Sequence, residues 1–269
     1  VILFCSDVDG TLLDSGRRLS ARTVAAITAT RAEGHPFVLC SSRPPASLRL
    51  LEAEYGGAGE SLIAYNGGLV IDRSGAIVVD VPIAAADARA VVEHCEAVDL
   101  HASCFAGERW HAWGADRWTD REIANTGVHP DAMDARAYAA NGRVDAQPPH
   151  KIMAMGEPEL IDGLEALVAP MPGVVAYRPK PTYLEMANTA VSKATGIRAV
   201  AESLGIRLAD VVFFGDNFND LPAFEVVGTA VAVGNAKDAV LAAATEVTAR
   251  GHDDGVAVWL EERAAQRVD

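Results

Sequence analysis

Two aspartates one residue apart stand directly behind a short apolar run, and no other stretch limits more tightly what the chain can fold into. Residues 1–5 suit a buried strand, and Ser6-Asp7-Val8-Asp9-Gly10-Thr11 follows at once. In a parallel α/β sheet the carboxyl ends of the strands open onto the ligand crevice, so Asp7 and Asp9 belong at the rim of such a sheet rather than in its core. Gly10 permits a sharp turn, and Thr11 is expected to bond the turn backbone. Two ionised carboxylates this close repel, so the pair calls for a shared proton or a cation, and a hard oxygen-seeking ion such as Mg²⁺ suits it. Taken as bare Asp-x-Asp, the stretch is equally a polar turn after a strand.

The arrangement of an apolar run ending in polar groups recurs along the chain. Phe37-Val38-Leu39-Cys40 leads into Ser41-Ser42-Arg43-Pro44, where a hydroxyl can donate to a phosphoryl oxygen and Arg43 can pair with an anion, or where a serine simply caps the next helix. Leu62-Ile63-Ala64-Tyr65 leads into Asn66-Gly67-Gly68, a tight turn or a loop that lets backbone approach a ligand. Val211-Val212-Phe213-Phe214 leads into Gly215-Asp216-Asn217-Phe218-Asn219-Asp220, where carboxylates four apart can converge on one cation if a helix starts there; the alternative is an Asp/Asn-rich cap. Lys193 opens a predicted helix, a place where the helix dipole disfavours a cation, so either an anion lies nearby or the lysine is an ordinary surface charge.

In this order the stretches resemble the four motifs of the haloacid dehalogenase-like (HAD) superfamily, in particular its Cof-type, subclass IIB members. Asp-Val-Asp-Gly-Thr-Leu-Leu matches the first motif, Ser41 the second, Val-Ser-Lys-Ala the lysine-bearing third and Gly-Asp-Asn-x-Asn-Asp the fourth. Two departures are mild: Ser-Ser-Arg stands where Thr-Gly-Arg is common, and Ala194 follows the lysine where Gly is usual. The resemblance implies a Rossmann-like parallel-sheet core, residues 1–81 and 185–269, carrying an inserted α+β cap of the C2B type, residues 82–184. It further implies a Mg²⁺-dependent phosphatase acting on small phosphorylated metabolites, with Asp7 as nucleophile and Asp9 as general acid and base. Mg²⁺ would be held by Asp7, the Asp9 carbonyl and Asp216, with Asn219 and Asp220 fixing it or its waters. Ser41, Ser42, Arg43, Asn66, Gly67 and Lys193 would face the substrate or its phosphate. A phosphomutase of the same subclass, or a phospho-ligand sensor without turnover, would share these residues.

The inserted stretch reads as its own layer: a helix over 84–98, strands over 100–106 and 109–113, a helix including 121–124, a strand over 151–155, a helix over 158–168, and strands near 174–177 and 183–186. Such an insertion suits a lid that closes over the crevice and selects the leaving group. Within it, Trp110-His111-Ala112-Trp113 and His101 form the chain's most unusual composition, read either as aromatic packing or as a surface for a sugar or base, and no site is assigned there.

With 269 residues, half of them hydrophobic, the chain can bury large cores without staples, and a net charge of −14 argues against nucleic acid or an anionic membrane as main partner. Cys5, Cys40, Cys95 and Cys104 form no C-x-x-C pair, which points to reduced thiols and a cytoplasmic protein. No apolar stretch approaches the ~20 residues needed to span a bilayer, and no basic-then-apolar leader is present. Because Val1 opens directly in a strand, a few further residues are expected ahead of it. Monomer and dimer both remain open.

Overall fold

The strands that end in polar residues lie side by side. In the computed structural model, which describes residues 1–265, the chain runs β1 (Leu3–Ser6), α1 (Ala21–Ala32), β2 (Phe37–Cys40), α2 (Pro45–Glu54), β3 (Leu62–Ala64), β4 (Leu69–Ile71) and β5 (Ile77–Asp80). It continues through α3 (Ala85–Ala97), β6 (His101–Ala106), β7 (Arg109–His111), α4 (Arg117–Thr126), α5 (Ala135–Ala140), α6 (Arg143–Ala146), β8 (Lys151–Met155), α7 (Pro158–Val168), β9 (Val174–Lys180) and β10 (Tyr183–Asn188). It closes with α8 (Lys193–Ser203), β11 (Val211–Gly215), α9 (Leu221–Phe224), β12 (Thr229–Ala232), α10 (Asp238–Ala243), β13 (Glu246–Val247) and α11 (Gly255–Ala265).

Two units result, one of Val1–Arg43, Leu48–Val79 and residues 192–265, the other of Pro44–Ser47 and Asp80–Val191. The first holds a sheet in the order β13-β12-β11-β1-β2-β3-β4-β5, parallel from β13 through β3 and antiparallel where β4 returns along β3. From the centre, β1-β2-β3 step outward one way and β11-β12-β13 the other, so the strand order reverses between β1 and β11. That reversal is where open α/β sheets leave a crevice at the carboxyl ends of their strands.

Both faces of the central strands are covered, which explains why they read as unbroken apolar runs instead of alternating ones. Leu3, Cys5, Val38, Cys40 and Phe213 pack with Ile197 and Val200 of α8 and with Phe224 of α9. Phe4 and Phe214, on the opposite face, meet the Trp259 ring of α11 edge-on at 6.2 and 5.3 Å. Each such side chain removed from water contributes roughly 1.5–3 kcal/mol. All four cysteines are free and buried. Among the described residues no helix is long and apolar enough to cross a membrane.

The second unit is a five-stranded sheet, β7-β6-β8-β10-β9, antiparallel where its strands pair. Ala102, Cys104, Ile152, Ala154, Leu184 and Met186 point from it onto Val91 and Cys95 of α3, Tyr138 of α5 and Ile161 and Leu164 of α7. The expected boundary at 184/185 falls inside β10, which is hydrogen-bonded into this sheet on both sides, and the unit runs on to Val191. The unusual aromatic stretch is engaged in packing. Trp110 stacks on Phe105 at 5.4 Å, His111 stacks on Tyr138 at 4.2 Å while bonding Asp134, and the Arg136 guanidinium lies 3.8 Å from the Trp113 ring centre. His101 bridges Asp116 and Ser103, so its two ring nitrogens are engaged as well.

One buried acid of the first unit lies away from the strand ends. Glu52 of α2 is 2 % exposed, one of its carboxylate oxygens has no hydrogen-bond partner, and burial with help from Glu60 raises its pKa from 4.5 to about 8 against the pull of Arg49 and Arg31. Its folded-state pKa lies above its unfolded one, so between pH 4.5 and about 8 the folded chain holds the extra proton and stability falls as pH rises. Glu52→Gln is expected to flatten this dependence and to stabilise the protein above pH 8 by on the order of 2–4 kcal/mol, read as the parent-versus-variant difference in urea midpoint at pH 5 and pH 9.

Candidate active site

Pairing of β1 with β11 brings the two acid-bearing strand exits together: Ser6 sits opposite Phe214, and the Asp7 amide donates to the Phe214 carbonyl at 2.9 Å. Asp7 and Asp216 therefore leave adjacent strands at one end of the sheet. Gly10 turns the chain at φ +91°, and a Cβ there would stand 2.4 Å from Asp216 Oδ2, so the turn is open only to glycine. The Thr11 hydroxyl donates to Asp216 Oδ1 at 2.8 Å, spanning to the other strand rather than bonding its own turn as expected.

Lys193 is completely buried, and its ammonium lies 2.8 Å from Asp7 Oδ1 and 2.6 Å from Asp220 Oδ1. Ser192 and Thr195 cap the helix reciprocally, which fixes the first turn of α8 and so the root of the lysine. The anions that justify a cation at this helix start are thus two aspartates. Burial alone would drive the Lys193 pKa down, yet Asp220 and Asp7 more than offset it and hold the ammonium charged.

Asp220 is committed to structure on both oxygens. Oδ1 takes Lys193, and Oδ2 accepts the backbone amides of Asp216 and Asn217 at 2.8 and 2.9 Å, which shapes the turn after β11. Carboxylate oxygens of Asp7, Asp216 and Asp220 all lie within 4.8 Å of one another. Burial raises the Asp7 pKa well above its usual value and that of Asp216 to about 6. With all three carboxylates ionised, one ammonium leaves a net charge of −2, which one divalent cation neutralises. All-oxygen donors suit a hard ion, and Asp7 and Asp216 are the side chains with oxygen capacity to spare. Asp220 fits the role of positioning Lys193 and the turn better than that of a ligand.

Ser41 is buried at the exit of β2, its amide donating to Ile63 and its hydroxyl accepting the Arg43 amide at 3.3 Å. Ser42 is half-buried. The Arg43 guanidinium forks onto Asp9, Nε to Oδ2 at 2.7 Å and Nη2 to Oδ1 at 2.8 Å, so it serves the second aspartate directly. Asn66, in the left-handed region at φ 55°, accepts from Asn219 Nδ2 at 3.2 Å, tying the exit of β3 to that of β11. Gly67, at φ +95°, lies so close to α8 that a Cβ would stand 2.3 Å from the Ser192 carbonyl oxygen. Its role is backbone contact with the capped start of the lysine helix. Gly67→Ala is expected to cost about 2–4 kcal/mol of stability, with a matching fall in urea midpoint, because both the positive φ and the backbone contact resist a methyl group.

Residue-type reasoning missed two participants. Arg17 donates Nη2 to Asp9 Oδ1 at 2.7 Å, and nothing in a Ser-Gly-Arg-Arg turn announces that. Asn235 donates to the Gly10 carbonyl at 2.8 Å and accepts the Gly251 amide at 2.7 Å, stitching the turn after β1 to the C-terminal region. Its place in Val233-Gly234-Asn235-Ala236 was the available signal.

Comparison with known proteins agrees with this geometry. The family model of haloacid dehalogenase-like hydrolases matches residues 4–260, and the chain belongs to that family. A Haemophilus influenzae protein carried under a provisional phosphatase name is 31% identical over 268 residues, 96% of each chain. A phosphoglycolate phosphatase of Halorubrum lacusprofundi is 32% identical over 257 residues, covering 93% of this chain and 92% of its own. Among solved structures, a haloacid dehalogenase-like hydrolase from Bacteroides thetaiotaomicron superposes with a TM-score of 0.88 at 24% identity, over 97% of this chain and 98% of that one. The chain is accordingly a hydrolase of the phosphatase kind.

Proposed function

We propose that the protein hydrolyses small phosphate monoesters of metabolites in the cytoplasm by way of an aspartyl-phosphate at Asp7, with Mg²⁺ as its cation. The observation that carries the reading is the buried Lys193 seated between Asp7 and Asp220 with Asp216 alongside, a cluster two positive charges short of neutrality when its acids are ionised. A nucleophilic carboxylate must be ionised and aimed; the lysine at 2.8 Å aims Asp7 and opposes the burial that raises its pKa, and a bound cation would favour the ionised form further. Mg²⁺ held by Asp7 and Asp216 would supply the positive charge that lets a carboxylate meet a phosphate dianion.

Asp7 Oδ attacks phosphorus, the bond to the ester oxygen breaks, and the departing oxygen takes a proton from Asp9. Asp9 then removes a proton from the water that attacks the acyl phosphate, restoring Asp7 and releasing phosphate. Lys193 and the Ser41 hydroxyl oppose the charge that builds on the phosphoryl oxygens. The choice of leaving group is assigned to the second unit, Asp80–Val191. Substrates of the size of phosphoglycolate or a sugar phosphate are the class favoured by the relatives and by the fold, which a solved subclass IIB sugar phosphatase shares at a TM-score of 0.80.

Phosphate release from a panel of such monoesters tests the proposal. Turnover is expected with Mg²⁺ and is expected to drop by at least ~100-fold on chelation, returning when the ion is restored. Turnover indifferent to chelation would remove the cation from the account, and failure to release phosphate from any ester would remove the phosphatase reading itself.

A further inference from the structure

Asp9 carries more positive charge than it needs. The fork from Arg43, whose side chain is only 6% exposed, is by itself a complete arginine–carboxylate pair. Arg17 nevertheless adds a second guanidinium to the same Oδ1, through one Nη2 at 2.7 Å, and keeps 45% of its side chain in solvent. A guanidinium has five N–H donors and the bond to Asp9 uses one, in a protein whose net charge of −14 would otherwise repel anions.

The backbone holds Arg17 there against its own preference. The turn closes on Asp14, whose carbonyl accepts the Arg17 amide at 2.9 Å while its amide donates to the Arg18 carbonyl and its side chain accepts the Arg18 amide. This sets Arg17 at φ 60°, a region where a side chain other than Gly, Asn or Asp is uncommon. Gly16 stands one residue earlier and could have taken the strained position had the turn been only a turn.

On the reading of Asp9 as the group that protonates the departing oxygen, Arg17 sits on the leaving-group side of the reaction. We infer that Arg17 is a substrate-binding residue that selects esters whose leaving alcohol bears an anion, a carboxylate a bond or two from the ester oxygen. A carboxylate there meets a guanidinium with donors to spare and a long, half-exposed side chain able to follow it. A neutral alcohol meets the same guanidinium and gains nothing from it.

A matched pair of substrates tests this: 2-phosphoglycolate and 2-hydroxyethyl phosphate, which differ in the carboxylate. The parent is expected to favour the carboxylate ester by at least ~10-fold in kcat/KM, chiefly through KM, with Arg17→Gln collapsing that ratio to within about threefold of unity and Arg17→Lys restoring part of it. A parent ratio near one overturns the inference, as does a ratio that Arg17→Gln leaves unchanged because both esters fall together, the behaviour of a residue that only positions Asp9. Turnover of neither ester by a parent that hydrolyses other monoesters of the panel removes the inference alone, as does turnover of both at an unchanged ratio, whereas release from no ester at all removes the phosphatase reading and this inference with it.

Discussion

Asp7→Asn is expected to lower kcat by ~10⁴-fold or more for every ester the parent hydrolyses, while the protein stays folded. The amide keeps the shape of the carboxylate but cannot attack phosphorus as an anion. Lys193 does not become an orphaned buried charge in this variant, because Asp220 still holds it at 2.6 Å. The thermal midpoint is therefore expected to shift by only a few degrees, and a melting curve beside the rate measurement separates lost chemistry from lost structure. Residual turnover within tenfold of the parent would assign the nucleophile elsewhere.

Lys193→Met is the second large effect, and it differs in kind. Removing the ammonium leaves Asp7 and Asp220 facing each other in a dry site with Asp216 close by, so three carboxylates share one small volume with no counter-charge. Breaking a buried pair in this way costs about 3–5 kcal/mol, and loss of charge stabilisation at the phosphoryl group costs a further ~10²–10³-fold in rate. The stability loss should be smaller in Mg²⁺ than in chelator, because the cation takes over part of the lost neutralisation. Urea midpoints of the variant in both conditions check this. A variant as stable as the parent in chelator would contradict the charge balance drawn for the site.

Legibility in the sequence followed the physics of each element. The central strands were readable because burial on both faces makes them unbroken apolar runs, and their exits because polar residues crowd there. A helix with strong local signals was legible to within a residue, as with α7 behind Pro158. The short helices α5 and α6 passed unread, for a helix of six or four residues carries too little periodicity to declare itself. So did the end of the inserted unit, because β10 reads as a strand without saying which sheet it joins.

At the site, residue types left Lys193 open between a nearby anion and an ordinary surface charge, and gave no sign that Asp220 would spend both oxygens on Lys193 and the backbone and so leave Asp7 and Asp216 to face a cation. Nor could they foretell Arg17, since its meeting with Asp9 depends on a left-handed turn that no composition rule demands of arginine.

The most direct test of the account is chemical capture of the intermediate. The protein is mixed with a slight excess of its best ester and Mg²⁺, quenched in acid within a single turnover, digested and weighed peptide by peptide. The account predicts one phosphoryl group on the peptide that carries Asp7, absent in Asp7→Asn and absent when the ester is omitted. Phosphate released at full rate with no peptide gaining that mass at any quench time would mean that water attacks the ester directly, and the role given to Asp7 would be wrong.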